Sequence, residues 1–168
     1  LSVAAGAGDA AHVTTLDLSK NSVQWAEENW KLNGLSSDRA RFIYGDVFDW
    51  LPRLRRENQK FDCVILDPPS FSRGKKGSFS TSKDLVKLHV LAFGILAPEG
   101  VLVTSINSAN VGWSKYETDV MTAARECGIR GDQLEVLHKI ELPTVTFPTH
   151  RGRHEDRYLK GWAYQLRS

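Results

Sequence analysis

An apolar segment that ends in a carboxylate and two prolines constrains the fold of this chain more than any other feature. Five of the six residues from 61 to 66 are apolar, as expected of a strand that is buried on both faces of a parallel sheet. Asp67, Pro68 and Pro69 follow, and because consecutive prolines fix φ and supply no N–H, the chain leaves the sheet as a rigid arm. We therefore expect Asp67, Pro68 and the Phe71 ring at the carboxyl edge of the sheet, where open α/β sheets bind ligands.

The arm has the chemistry of a nucleobase site. The ring of Phe71 can stack on a base, while the Asp67 carboxylate and the Pro68 carbonyl accept hydrogen bonds from an exocyclic nitrogen. A strand followed by a proline-stiffened loop without a ligand is the alternative, and the arm alone leaves both open.

Length, charge and cysteine content limit the class of protein. A chain of 168 residues fits one domain with a full core, and a net charge of +2 is too small to indicate a polyanion partner, so any basic surface must be local. Two distant cysteines support neither a disulfide framework nor a metal site, and no apolar run is long enough to span a membrane. We expect a single cytoplasmic domain without a metal or a membrane segment.

Predicted strands and helices alternate along most of the chain. Helical patterns cover residues 1–5, 19–33, 47–56, 85–95 and 116–127, and Pro98 with Gly100 would stop the fourth of these helices. Strands are predicted at residues 12–17, 41–45, 61–66, 101–106, 135–142 and 158–166, with polar, basic loops at 72–82 and 143–157. The pattern predicts an α/β fold, with a doubly wound, Rossmann-like, mostly parallel sheet and a C-terminal antiparallel hairpin.

Three predicted strands end in a carboxylate. These are Asp17, Asp46 and Asp67, and carboxylates at this edge of a parallel sheet face the ligand crevice. In dinucleotide folds an acidic residue just past the second strand accepts hydrogen bonds from the ribose hydroxyls. A solvated strand end explains any one of them, but the repeated placement favours a nucleotide site.

Several segments together resemble one enzyme family. They are Asp17-Leu18-Ser19, residues 28–35, residues 45–48, Asp67 to Phe71 with the lysine-rich loop that follows, and residues 158–161. In this combination the chain resembles class I S-adenosylmethionine (SAM)-dependent methyltransferases, and in particular the bacterial 23S ribosomal RNA large-subunit methyltransferase group that includes cytosine-C5 and guanine-N7 enzymes. The resemblance covers essentially the whole chain and implies SAM as the cofactor and RNA as the partner.

The resemblance also implies residue roles. Asp17, with Leu18 and Ser19 beside it, would hold the SAM ribose, and Asp46 with the backbone of Val47 would hold the adenine edge. Asp67 would lie near the transferring methyl group. The segment Pro68, Pro69 and Phe71 would hold the target base.

The chain departs from the family pattern at its beginning. The family's first strand and its Gly-rich loop, which meets the methionine portion of SAM, would lie before Leu1, and the usual N-terminal RNA-binding domain is not in the sequence. We therefore expect the methyltransferase domain over residues 1–168 to lack its first strand and to bind SAM weakly.

A second departure concerns the nucleophile. Cytosine-C5 members of the family use a cysteine just after the strand that here ends at Asn107, because carbon 5 needs a thiolate to add to carbon 6. Cys63 is predicted inside a strand and Cys127 at a helix end, and both are interpreted as small buried apolar residues. Methylation at nitrogen remains, and Asn107 is equally a base-binding residue or a turn residue.

Basic residues in two loops are candidates for phosphate contacts. Lys75 and Lys76 follow the arm, and Arg151 lies in the C-terminal loop with His150 and His154. A solvated loop is nearly as good an interpretation, and the histidine spacing matches no zinc motif.

The sequence thus predicts a SAM-dependent RNA methyltransferase that modifies a purine nitrogen, namely of guanine, in 23S rRNA without a cysteine nucleophile. A cytosine-C5 methyltransferase and a non-catalytic RNA- or nucleotide-binding module with this fold are the alternatives. A homodimer is left open.

Overall fold

The computed structural model describes residues 1–74, 77–141 and 158–167. The chain divides into two compact units, Leu1–Trp50 and Leu51–Ser168, which are described in turn. The single domain expected over residues 1–168 remains a prediction.

The first unit is a two-stranded parallel sheet with helices. It contains α1 (Ser2–Ala7), β1 (Val13–Asp17), α2 (Lys20–Leu32), a 3-10 turn (Ser37–Arg39), β2 (Ala40–Tyr44) and the start of α3 (Val47–Arg56). β1 and β2 pair in parallel, and Asp17 lies opposite Tyr44 in the register. Both strands therefore end at the same edge, as the sequence predicts.

Local signals in the sequence determine where α2 begins and ends. The Ser19 side chain accepts a hydrogen bond from the backbone N–H of Ser22 and caps the helix. Gly34, with φ of +68°, follows the C-cap Asn33 in the left-handed region that glycine tolerates. Trp30 is fully buried, and its Nε1 donates to the backbone carbonyl of Ser36 at 2.9 Å, so the end of α2 is fixed to the following turn.

The second unit is built on a four-stranded mixed sheet. Its elements are the rest of α3, β3 (Phe61–Leu66), β4 (Phe71–Gly74), β5 (Gly77–Ser80), α4 (Thr81–Phe93), β6 (Leu96–Asn107), α5 (Trp113–Glu126), a 3-10 turn (Gly131–Gln133), β7 (Leu134–Glu141) and β8 (Leu159–Leu166). The strand order is β3-β6-β8-β7, with β3 parallel to β6 and the other pairs antiparallel. The α/β class with a C-terminal antiparallel hairpin is confirmed.

A buried hydrogen-bonded network joins α4, β6 and α5. His89 Nε2 lies 2.8 Å from Thr104 Oγ1, which lies 2.7 Å from the Tyr116 hydroxyl, and His89 Nδ1 lies 2.7 Å from the Leu85 carbonyl. A carbonyl only accepts, so Nδ1 carries the proton and Nε2 must accept from Thr104, whose oxygen then accepts from Tyr116. Burial of the ring lowers the pKa of His89 to about 4, which keeps it neutral in this arrangement.

The structure corrects two predicted boundaries. Residues 72–82, expected as a loop, include most of the antiparallel β4–β5 hairpin, because Phe79 alternates with polar residues and is buried on one face. The fourth predicted helix ends at Phe93 with Gly94 as its C-cap, and Pro98 and Gly100 lie within β6. The helix therefore stops before the two residues that were expected to stop it.

The central apolar strand is buried on one face only. Val64 and Leu66 are buried, whereas Ile65 is 44% exposed and Cys63 is also exposed. The expectation of burial on both faces is therefore wrong for β3. The helices α4 and α5 cover one face of the sheet, the face that contains Leu102 and Thr104 of β6 and their partners Val64 and Leu66 of β3.

Candidate functional site

In the first unit, two predicted cofactor residues lie at one sheet edge. Asp17 ends β1, and Asp46 follows β2 by two residues; the two strand ends are joined by a hydrogen bond from the Gly45 N–H to the Asp17 carbonyl at 3.0 Å. The two carboxylates thus extend from the same carboxyl edge of a parallel pair. This is the arrangement that the sequence predicts for these two residues.

Backbone N–H groups orient both carboxylates. Asp17 Oδ1 accepts from the N–H of Ser19 at 2.6 Å, and Asp46 Oδ1 accepts from the N–H of Phe48 at 2.9 Å. In the part of the chain that the structure describes, the second oxygen of each carboxylate accepts no hydrogen bond, so each presents one acceptor to a ligand. Hydroxyl and amino groups of a nucleoside are the donors that such acceptors bind.

The remaining cofactor residues flank these two carboxylates. Leu18 is 36% exposed between Asp17 and the cap residue Ser19, and Val47 is the first residue of α3, directly after Asp46. The donor and acceptor set of this edge therefore fits a nucleoside, with acidic acceptors, an exposed apolar side chain and the N–H groups of a helix start.

In the second unit, Asp67 and the arm lie beside the end of β6. β3 and β6 are parallel, with Leu66 opposite Thr104, so Asp67 and Asn107 leave the same sheet edge. Ser105 Oγ donates to Asp67 Oδ1 at 2.8 Å, and Ser70 Oγ donates to the backbone carbonyl of Asn107 at 2.5 Å. The arm that contains Pro68 and Pro69 is therefore held at both ends to one strand.

Phe71 begins the β4–β5 hairpin at the end of the arm. Its side chain is 54% exposed, and the guanidinium carbon of Arg73 lies 5.7 Å from the ring centroid. The backbone N–H of Thr81 donates to the Ser70 carbonyl at 3.2 Å, which joins the far end of the hairpin to the arm. The ring is thus exposed although its backbone is anchored on both sides.

A buried lysine holds the chain after β6. Lys160 is 5% exposed, and its Nζ donates to the backbone carbonyl of Ser108 at 2.9 Å. Burial lowers the pKa of Lys160. Ser108 directly follows Asn107, so this contact fixes the backbone next to Asn107.

Three predicted substrate residues lie outside the described residues. They are Lys75, Lys76 and Arg151, and His150 and His154 also lie outside these ranges. Their proposed phosphate contacts remain predictions.

The prediction that both cysteines are buried is wrong. Cys63 lies on the uncovered face of β3, and Cys127 is the C-cap of α5, where helix ends are accessible. Partial desolvation nevertheless raises the pKa of both thiols, so neither is an activated thiolate. Cys63 also lies four residues before Asp67 within the strand, away from the edge that holds the arm.

Sequence reasoning missed the residues that position the arm. Ser105 and Ser70 are ordinary hydroxyl residues in sequence, and only the parallel pairing of β3 with β6 brings Ser105 to Asp67. The alternation of residues 101–106 does place Ser105 on the face opposite Thr104, but the sequence does not give the register that joins it to Asp67.

Two kinds of site are absent from the described ranges. No group of three or more His, Cys, Asp or Glu side chains in residues 1–74, 77–141 and 158–167 is arranged to hold a metal ion. None of the helices in the same ranges combines the length and the apolar character that a membrane span requires.

Comparison with known proteins agrees with this geometry. Parallel strands that end in acidic residues are typical of Rossmann-like enzymes that bind a nucleotide cofactor. The sequence profile of the S-adenosylmethionine-dependent methyltransferases matches residues 1–149. The chain belongs to this family.

Relatives and solved structures give the same family. Over 160 residues, 95% of the chain, it is 34% identical to ribosomal RNA large subunit methyltransferase I of Aeromonas hydrophila. Over 126 residues, 74% of the chain, it is 43% identical to ribosomal RNA large subunit methyltransferase K/L of Pseudomonas fluorescens, and it covers 16% of that protein. The crystal structure of the methyltransferase SMU.776 complexed with SAH superposes on 98% of the chain with a TM-score of 0.88 and 30% identity, and 42% of that structure is covered. The chain spans about 39% of the length of the methyltransferase I relative.

Proposed function

We propose that this chain is the methyl-transferring part of a SAM-dependent RNA methyltransferase that modifies a nitrogen of guanine in large-subunit ribosomal RNA. The observation that carries the proposal is the anchored arm, in which Ser105 orients Asp67 and an exposed Phe71 ring follows four residues later. The similarity to relatives named as ribosomal RNA large subunit methyltransferases supports RNA as the substrate. The homodimer stays a prediction.

Residues of the first unit fit the nucleoside of the cofactor. The open oxygen of Asp17 would accept from the ribose hydroxyls, and Asp46 with the N–H of Val47 would hold the adenine edge. Leu18 and Ser19 flank this nucleoside. Bound SAM supplies an electrophilic methyl group on a positively charged sulfur.

Residues of the second unit fit the target base. Asp67, oriented through one oxygen by Ser105, keeps the other oxygen for an N–H of the base, and Phe71 stacks on its face. Pro68 and Pro69 keep the arm rigid, and Asn107 borders the same edge. Alignment of a nucleophilic nitrogen with the methyl group requires no general base when the nitrogen carries a free lone pair, and orientation alone contributes up to about 7–11 kcal/mol.

The cysteines favour methylation at nitrogen over carbon 5 of cytosine. Carbon-5 chemistry needs a thiolate in the site, and the described cysteines have raised thiol pKa values and lie away from the arm. We expect the double variant Cys63→Ser/Cys127→Ser to keep its methyl transfer. Loss of transfer in this variant, with the fold intact, would establish the cytosine-C5 alternative.

The product identifies the reaction. The complete protein that carries this chain is incubated with labelled SAM and large-subunit rRNA from a strain that lacks the gene, and the labelled nucleoside is identified by mass spectrometry. We expect a methylated guanine. A 5-methylcytosine would refute the nitrogen assignment, and no label on either free RNA or assembled subunits would favour the binding module.

A variant of Asp67 tests the organising residue. We expect Asp67→Ala to reduce kcat by about 100-fold or more, because misplacement of the reacting groups by about 1 Å costs about that factor. Asp62→Ala, in an exposed aspartate on β3, the strand that precedes Asp67, is the matched control and should keep normal turnover. Normal turnover of Asp67→Ala would remove the basis of the proposal.

A further inference from the structure

The β4–β5 hairpin has two faces of opposite character. In its antiparallel register Phe71 lies opposite Ser80, Ser72 opposite Phe79, and Arg73 opposite Ser78. Because side chains alternate along a strand and directly paired residues share a face, Phe79 lies on one face and Phe71 with Arg73 on the other. Phe79 is buried, whereas Phe71 and Arg73 are exposed. We call the face formed by Phe71, Arg73 and Ser78 the outer face.

The base of the hairpin is fixed, so the outer face has a defined position relative to Asp67. The backbone N–H and the Oγ1 of Thr81 both donate to the Ser70 carbonyl, at 3.2 and 3.4 Å. The N–H of Ser80 donates to Asp84 Oδ2 at 2.8 Å, which joins the hairpin to the first turn of α4. Ser70 is itself bonded to β6. The outer face therefore begins four residues beyond Asp67 on an anchored backbone.

The outer face combines a flat ring with a planar cation. The Arg73 guanidinium carbon lies 5.7 Å from the centroid of the Phe71 ring, which is 54% exposed. The guanidinium lies over one face of the ring. An exposed aromatic ring stacks on any base, and the guanidinium carries the charge and the N–H donors that bind a phosphate. A base within a duplex has both faces covered, so only an unpaired base can stack on the ring.

We infer that the outer face of the β4–β5 hairpin binds single-stranded RNA, with an unpaired base stacked on Phe71 and a backbone phosphate paired with Arg73. The choice of RNA as the partner rests on the proposed function. Arg73 thus joins the substrate residues: Phe71 stacks on the base, and Arg73 pairs with the phosphate.

Salt dependence separates these two contributions. Each phosphate contact to a single strand adds about 0.7 to the slope of log affinity against log salt concentration, whereas stacking adds nothing to that slope. We expect Arg73→Gln to weaken binding and to reduce the slope by about 0.7, and Arg73→Lys to keep the slope because the charge remains. Phe71→Leu should weaken binding by roughly 10- to 100-fold at an unchanged slope, as expected for one lost base–aromatic stack.

The measurement uses fluorescence anisotropy of a labelled single-stranded RNA oligonucleotide and of the same sequence as a duplex, titrated with the complete protein between 50 and 400 mM salt, as rough limits of the usual range. Arg130→Gln, in an exposed arginine that pairs with Asp132, is the matched control and should change neither affinity nor slope. We expect the single strand to bind more tightly than the duplex. Equal binding of both forms, or an unchanged slope in Arg73→Gln, would overturn the inference, as would the absence of RNA binding by the unaltered protein.

Methyl transfer measured in parallel distinguishes this inference from the proposed function. If the unaltered protein methylates RNA while Arg73→Gln keeps its affinity and slope, the hairpin inference fails and the proposed function stands. If RNA binds at the outer face as described but no methyl group is transferred, the inference stands and the proposed function fails. Circular dichroism of each variant confirms that the exposed substitutions leave the fold unchanged.

Discussion

The neutral histidine in the core of the second unit predicts an acid-sensitive stability. His89 is fully buried, donates from Nδ1 to the Leu85 carbonyl and accepts at Nε2 from Thr104. A second proton on the ring would remove the Nε2 acceptor that faces the Thr104 hydroxyl and place a charge in the core. Burial lowers the pKa of His89 to about 4, although the hydrogen bond to Leu85 and the charge of Asp119 on α5 oppose this shift.

The expected loss of stability follows from the pKa difference between the folded and unfolded chain. The unfolded value is about 6.5, so between pH 6.5 and about 4 the unfolded chain binds a proton at His89 that the folded chain does not. The contribution of a neutral His89 is therefore complete above pH 6.5, and it declines as the pH falls to about 4. The total is about 3 kcal/mol, since one pKa unit corresponds to about 1.36 kcal/mol.

The test compares urea unfolding of the unaltered protein with that of His89→Gln at pH 7, 5.5 and 4.5. The glutamine carbonyl oxygen can accept from Thr104 at the Nε2 position, but the side chain does not titrate. We therefore expect His89→Gln to lose less stability than the unaltered protein when the pH falls. At pH 7 the variant is expected to be the less stable of the two. His138→Gln, in an exposed histidine on β7, should keep the pH dependence of the unaltered protein. Equal pH dependence in the unaltered protein and in His89→Gln would refute the assignment of the neutral tautomer.

Two further substitutions test contacts described above. Ser105→Ala should lower kcat about fivefold with the KM for SAM unchanged, because it removes a hydrogen bond that orients Asp67 and is worth about 1 kcal/mol. Ser105→Thr should restore kcat. A change in KM alone would contradict the positioning role. Gly6→Ala should reduce the free energy of unfolding by about 1–3 kcal/mol, because the new Cβ would lie 2.5 Å from the buried Trp30 ring. Gly131→Ala is the control, because position 131 has open space around it. Equal melting temperatures of Gly6→Ala and Gly131→Ala would show that the core accommodates the methyl group.

The alternation of strands and helices could be predicted because its local signals are strong. The Ser19 cap, the glycine after Asn33 and a strand at residues 61–66 were each predicted and are found, although the strand is buried on one face only. The family was also recognisable from motifs at strand ends. These features depend on neighbours in sequence, which a single sequence displays.

Long-range contacts could not be predicted in the same way. Ser105 and Asp67 are 38 residues apart, and their hydrogen bond depends on the register between β3 and β6. The buried His89 network depends on the packing of two helices on β6. The β4–β5 hairpin was missed because short alternations of serine, glycine and phenylalanine resemble a loop. The exposure of Cys63 depends on which face of β3 is covered, and its apolar sequence does not contain that information.

The position of β3 at the edge of its sheet has a practical consequence for handling the molecule. In the described sheet β3 pairs with β6 on one side and with no strand on the other, so its second edge presents open backbone donors and acceptors next to the exposed Cys63 and Ile65. An edge strand with unpaired backbone groups is a template for pairing with a strand of another molecule. A preparation of the chain by itself is therefore expected to self-associate with time and concentration, and reducing agent alone would not prevent this, because hydrogen bonds between strands rather than disulfides would join the copies.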